Sequence, residues 1–115
     1  MQYEINLKNL LEFINNIIET KKIDSDINTH IRCFACQFEP EIKVMIRCFA
    51  EEIEEIIYND KNLIEENSDE EEIVFEIKNI FVKDKIILHL YELKNFIENT
   101  LLNFEKKNKR LWSMI

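Results

Sequence analysis

The sequence predicts an all-α fold, a single compact bundle of four or five helices over residues 1–115. Apolar residues recur at intervals of three and four in several stretches, which is the spacing of one helical face. The chain contains no glycine, so the tight turns that close β-hairpins lack the residue they usually need. Its length of 115 residues suits one domain.

The first two helices are predicted from their apolar stripes. The stripe of the helix over about 5–20 consists of Leu7, Leu10, Leu11, Ile14, Ile17 and Ile18. A second helix over about 25–38 carries Ile27, Ile31, Phe34 and Phe38. The polar cluster Asp24-Ser25-Asp26 precedes it and supplies candidate N-cap oxygens.

A third helix is predicted from Pro40 to about Tyr58. Proline suits the first helical turn, where its missing N–H has no partner to lose, and the flanking Glu39 and Glu41 favour the positive end of the helix dipole. The polar run after Tyr58 predicts an acidic loop at about 59–68.

Residues 68–91 fit two interpretations. The favoured one is helical, because Ser68 and Glu71 form a capping-box pattern, and the last helix then begins near Asp84 or runs unbroken from Asp69. The alternative is an α+β fold, in which a hairpin at about 72–91 is flanked by helices.

Charge is distributed unevenly along the chain. Residues 39–76 have fourteen acidic and three basic side chains, a net charge of −11, whereas residues 77–115 have a net charge of +4. The acidic residues of this middle region that we expect to bind a partner are Glu51, Glu52, Glu54, Glu55, Glu65, Glu66, Asp69, Glu70, Glu71 and Glu72. A purely solvated acidic face is the competing interpretation. The overall net charge of −8 disfavours direct binding to nucleic acid.

The C-terminal residues 111–115 are apolar to the last position. We expect this short tail either to pack on the bundle or to act as a docking peptide through Leu111, Trp112, Met114 and Ile115. No apolar run is long enough to span a membrane, and the N-terminus lacks the basic and apolar regions of a signal peptide. A cytoplasmic location is therefore expected, in the host cytoplasm if a phage or virus encodes the chain.

The cysteines are predicted to be buried, unreactive packing groups without metal. Cys33, Cys36 and Cys48 are an odd number, which argues against a disulfide scaffold. Together with His30 they form a low-ranked alternative zinc set, disfavoured because successive helical residues turn by 100° and point these side chains apart. The segment Ile31–Ala35 recurs as Ile46–Ala50.

No catalytic constellation is visible, and no cofactor is expected. The two histidines, His30 and His89, have no nucleophile at a catalytic spacing, and the glycine-rich loops that bind nucleotides are absent. We therefore expect a protein that is not an enzyme.

Two functional hypotheses follow. The first is a non-catalytic acidic module of the inhibitor, immunity or anti-defence type, which masks the basic, nucleic-acid-binding surface of a partner such as a nuclease or a nucleic-acid-guided complex. The twenty isoleucines against three valines indicate an AT-rich coding sequence, as in many phages and viruses. The second is a structural subunit or homo-oligomer that associates through an apolar helix face or the C-terminal tail.

Overall fold

The computed structural model of the chain describes residues 2–59 and 74–113. Within these residues the protein is an all-α bundle of four helices. They are α1 (Gln2–Thr20), α2 (Ile27–Ala35), α3 (Pro40–Tyr58) and α4 (Ile80–Ser113). Helix α2 packs on α3, and α4 lies against both α1 and α3. The all-α prediction is confirmed.

One hydrophobic core joins all four helices. It contains the predicted stripe of α1. Helix α3 contributes Ile46, Ala50, Ile53 and Ile57 to it, and α4 contributes Ile86, Leu90, Leu93 and Ile97. Ile23 and Ile77, which lie outside the helices, are also fully buried in this core. The two short stretches before α2 and before α4 therefore each contribute one side chain to the packed interior of the bundle.

Helix α2 is shorter than predicted. It ends at Ala35 because the next backbone N–H groups bond to the carbonyl three residues earlier instead of four. Gln37 N–H donates to Phe34 O, and Phe38 N–H donates to Ala35 O. Glu39 is extended, at φ −60° and ψ 153°, as expected for a residue before proline. Phe38 is nevertheless buried, as its place in the stripe predicted.

The predicted side-chain cap of α2 is not present. Asp26 is the N-cap residue, but its carboxylate makes no capping hydrogen bond. One carboxylate oxygen instead lies 3.0 Å from His30 Nε2, one turn further along α2. Sequence alone does not distinguish these two uses of an aspartate at a helix start.

The segment before α4 corrects the interpretation of residues 68–91. Residues 74–79 are not helical, and α4 begins at Ile80, so the last helix neither starts near Asp84 nor runs unbroken from Asp69. The alternative hairpin is also wrong, because its proposed second strand lies inside α4. Glu76 forms an isolated antiparallel bridge with Asp24.

Hydrogen bonds explain this geometry. Ile77 N–H donates to Ile23 O at 2.8 Å, and Ile77 is buried while its neighbours Glu76 and Lys78 are exposed. The alternating pattern of the sequence is thus correct for this short stretch, but its partner is the α1–α2 connection. Residues 60–73, which include most of the predicted acidic loop and the Ser68 capping box, lie outside the described residues.

Candidate protein-binding surface

The exposed side of α3 presents part of the predicted acidic surface. Glu51, Glu52 and Glu55 are exposed there. Glu51 and Glu55 are one helical turn apart, and neither forms an ion pair with any residue in the described ranges. The other predicted acidic residues, Glu65, Glu66, Asp69, Glu70, Glu71 and Glu72, lie outside the described residues.

Glu54 differs from the expected exposed acid. The Arg32 guanidinium of α2 donates a hydrogen bond through Nη2 to Glu54 Oε2, and both side chains are partly buried. This ion pair joins α2 to α3. Glu54 is therefore a structural contact between the two helices, and it is half-buried, whereas Glu51 and Glu55 are exposed.

Glu52 is exposed on the side of α3 that faces α4, whereas Glu54 faces α2. Its Oε2 lies 3.4 Å from His89 Nε2. His89 Nδ1 lies 3.0 Å from the Lys85 carbonyl oxygen and, because a carbonyl only accepts, Nδ1 carries the proton. Nε2 is then protonated only in the imidazolium form, in which its contact with Glu52 becomes an ion pair. His89 is a half-buried contact residue between two helices.

A groove lies beside the acidic face. It is enclosed by α2, by the last turn of α3 and by the extended segment before α4, and it has a volume of about 280 Å³. Six of its lining residues are Asn28, Arg32, Ile57, Tyr58, Val74 and Phe75. A shallower depression shares Arg32, Glu54 and Tyr58 with this groove and extends it to Glu51 and Glu55. The groove and the acidic face therefore form one continuous surface.

Asn28 is the residue of this surface that sequence reasoning missed. Only 8% of it is exposed, yet no hydrogen bond joins its carboxamide to any other residue of the described part of the chain. No fully enclosed polar atom in that part lacks a partner, so the carboxamide still reaches solvent through the groove that it lines. The only sequence signal is an asparagine between two core isoleucines, which composition alone does not mark as functional.

The prediction that the cysteines are buried packing groups is wrong. Cys33, Cys36 and Cys48 are all free and exposed. Cys33 and Cys48 occupy equivalent places in the repeated segments, in which the isoleucine and the alanine are buried and the cysteine points away from the core. Each of these two cysteines is two residues from a buried isoleucine and two from a buried alanine, which places it on the opposite side of its helix.

Metal binding by these thiols gains no support from the geometry. Within residues 2–59 and 74–113, no three histidine, cysteine or carboxylate side chains lie close enough together to hold a metal ion. His30 is engaged by Asp26, and its ring lies 5.8 Å from that of Phe13.

A second exposed surface runs along α4. Phe81, Leu88 and Leu102 recur at multiples of seven residues, so they lie along one side of the helix, and Phe81 and Leu88 are 79% and 60% exposed. Tyr91 is exposed on the same side. The helix continues to Ser113, so Leu111 and Trp112 belong to its last turns by backbone; Met114 and Ile115 lie outside the described residues.

Comparison of the chain with protein-family models, curated proteins and solved structures found no match. Within residues 2–59 and 74–113, no helix combines the length and the apolar composition needed to cross a membrane.

Proposed function

We propose that the protein is a non-catalytic binding module whose acidic surface engages a basic surface of a partner protein. The observation that carries this proposal is the pair of exposed carboxylates Glu51 and Glu55, which have no ion pair within residues 2–59 and 74–113 and lie beside a groove. Like charges four residues apart destabilise a helix by about 0.2–0.5 kcal/mol, and a cation supplied by a partner relieves this repulsion. Electrostatic complementarity of this kind chiefly speeds association and selects the partner.

The chemistry of such a partner follows from the charge. A protein with a cationic cleft for nucleic acid, such as a nuclease or a nucleic-acid-guided complex, carries the required surface. An acidic module that covers that cleft acts as an inhibitor, in the manner of an immunity or anti-defence protein encoded by a phage or virus. The AT-rich composition supports such an origin.

The test uses charge reversal at positions that the fold does not need. The variant Glu51→Lys with Glu55→Lys is compared with Glu12→Lys with Glu19→Lys, two exposed acids of α1. Both variants change the net charge from −8 to −4, so the comparison separates the site from overall charge. Each protein serves as bait in a lysate of the cells in which the chain is naturally produced, which are host cells for a phage or viral protein. Captured partners are then purified and assayed for nucleic-acid binding.

We expect the α3 variant to lose a basic partner that the wild type and the α1 variant retain. The captured protein should dissociate at about 0.5 M salt, where the Debye length is only a few Å. It should also lose its affinity for nucleic acid when the wild-type module is added. Equal capture by the two double variants would contradict the proposal.

The exposed stripe of α4 supports a second candidate function, a structural subunit that self-associates. Apolar association persists at about 0.5 M salt, whereas charge-driven binding weakens, so light scattering at low and high ionic strength separates the two. We expect Phe81→Ser with Leu88→Ser to shift any dimer toward monomer, and Val44→Ser, at an exposed apolar position of α3, to leave it unchanged. A monomer at both salt concentrations would refute this second candidate.

A further inference from the structure

The groove beside the acidic face contains an unusual polar group. Asn28 lies on the buried side of α2, more than nine-tenths covered, and its carboxamide lines the groove without a hydrogen bond to another described residue. Carboxamides offer two N–H donors and one acceptor oxygen. Solvent reaches this carboxamide in the free protein, so a ligand seated in the groove replaces water as its hydrogen-bond partner.

The rest of the groove is chemically mixed. Ile57, Phe75 and the exposed Tyr58 and Val74 form an apolar lining beside Asn28. Arg32 and Glu54 already neutralise each other at the boundary, whereas Glu51 and Glu55 in the adjoining depression remain unpaired within the described chain. The surface therefore combines an apolar lining, the carboxamide of Asn28 and an excess of negative charge.

We propose that this groove binds an extended segment of the partner protein that carries an apolar residue followed or preceded by lysine or arginine. The apolar side chain packs against Ile57 and Phe75, and the basic side chain faces Glu51 and Glu55. The Asn28 carboxamide pairs with the N–H and C=O of one residue in the segment. This inference rests on the proposed function, because it specifies the part of the basic partner that the module recognises.

An extended conformation follows from the hydrogen-bonding chemistry. Residues within a helix use their N–H and C=O groups internally, so they have neither to offer to an asparagine. An extended residue leaves both groups free, which is the basis of peptide recognition through main-chain hydrogen bonds. The electrostatic face selects for basic residues, and the apolar lining fixes the register.

The first test needs no ligand. Asn6 of α1 is also a helical asparagine, 9% exposed, but it has an interaction partner. If Asn28 is kept for binding, Asn28→Ala should leave the thermal unfolding midpoint unchanged or raise it, because alanine is the better helix former and no hydrogen bond is lost. Asn6→Ala should lower the midpoint. Equal losses in both variants would assign Asn28 a structural role and overturn the inference.

The second test measures binding by NMR titration of the full chain with capped synthetic peptides. The probe has two leucines followed by two lysines between serines, and a probe of reversed order covers the other direction. In two control peptides, glutamates replace the lysines or serines replace the leucines. We expect the probe to shift the Asn28 side-chain amide signals and the amides near Ile57, and to bind about tenfold more tightly than either control.

The variant Asn28→Ala should bind the probe about tenfold more weakly, which is the loss expected from a pair of net hydrogen bonds. Two outcomes overturn the inference: unchanged affinity in Asn28→Ala, or equal affinity for the probe and the peptide without leucines. If binding depends on the lysines and on Glu51 and Glu55 but not on Asn28, the acidic proposal stands and the groove inference fails. If no peptide binds, the groove inference fails, and the capture experiment with the Glu51→Lys, Glu55→Lys variant decides the acidic proposal separately.

Discussion

Ser25 and Phe75, fifty residues apart in the sequence, are joined by two hydrogen bonds. The Ser25 N–H donates to the Phe75 carbonyl oxygen at 2.8 Å, and the Phe75 N–H donates to the Ser25 hydroxyl oxygen at 3.0 Å. One side chain thus substitutes for a main-chain acceptor. This contact attaches the segment before α4 to the start of α2 and forms one end of the groove that Asn28 lines.

Removal of the Ser25 hydroxyl should destabilise the protein. In Ser25→Ala the partly buried Phe75 N–H loses its acceptor, and we expect the free energy of unfolding to fall by about 1 kcal/mol or more. Urea denaturation measures this change. Ser25→Thr retains a hydroxyl oxygen and is the control, so an equal loss in both variants would show that the side-chain bond is not the cause.

The pairing of these two segments also shows the limit of sequence reasoning in this fold. Helical periodicity identified α1, α2 and α3 and much of the core, because each stripe is a local pattern. The conformation of the stretch before α4 depends on hydrogen bonds to the α1–α2 connection, which is far away in the chain. Buried and exposed residues alternate around Ile77 as in a strand, but the stretch forms only an isolated bridge. No local pattern identifies such a partner.

The same distinction applies to the candidate site. Glu51 and Glu55 were recognisable because helical spacing places both on the open side of α3. The pairing of Glu54 with Arg32 depends on how α2 packs on α3. The lack of a partner for Asn28 within the described residues depends on three elements that meet around the groove. Sequence therefore predicts which side of a helix is polar, but not which polar groups remain available for a partner.

The Arg32–Glu54 pair predicts different effects of charge reversal at neighbouring positions. Glu54→Lys places a second cation next to the Arg32 guanidinium, whereas Glu55→Lys projects into solvent. Because the pair is partly exposed, we expect Glu54→Lys to cost only about 1 kcal/mol more than Glu55→Lys in the free energy of unfolding.

Charge exchange provides the control for this pair. Arg32→Glu combined with Glu54→Lys restores opposite charges across α2 and α3 and should recover part of the stability lost in Glu54→Lys. Thermal unfolding at low salt detects the recovery most readily, since added salt screens exposed charges. Additive losses in the double variant would contradict an interaction between the two residues.

The exposed cysteines predict accessible thiols. A thiol reagent that does not enter the folded core should modify Cys33, Cys36 and Cys48 in the native protein, at rates similar to those in denaturant. Replacement of any one by alanine should change the free energy of unfolding by no more than about 0.5 kcal/mol, as is usual for surface substitutions. Modification that requires unfolding would show that the thiols are buried.

Asn79 caps the long helix α4, a role that the sequence reasoning overlooked because it placed the helix start elsewhere. Its side-chain oxygen accepts hydrogen bonds from the N–H groups of Phe81 at 3.0 Å and Val82 at 3.3 Å, two donors that have no partner earlier in the helix. We expect Asn79→Ala to reduce the free energy of unfolding by about 1 kcal/mol. Amide exchange at Phe81 and Val82 should accelerate more than exchange at the centre of α4. Asn95→Ala is the matched control, because Asn95 is an exposed residue inside the same helix, and there alanine should stabilise by about 0.5 kcal/mol through its higher helix propensity. Stabilisation at both positions would mean that Asn79 does not cap the helix in solution.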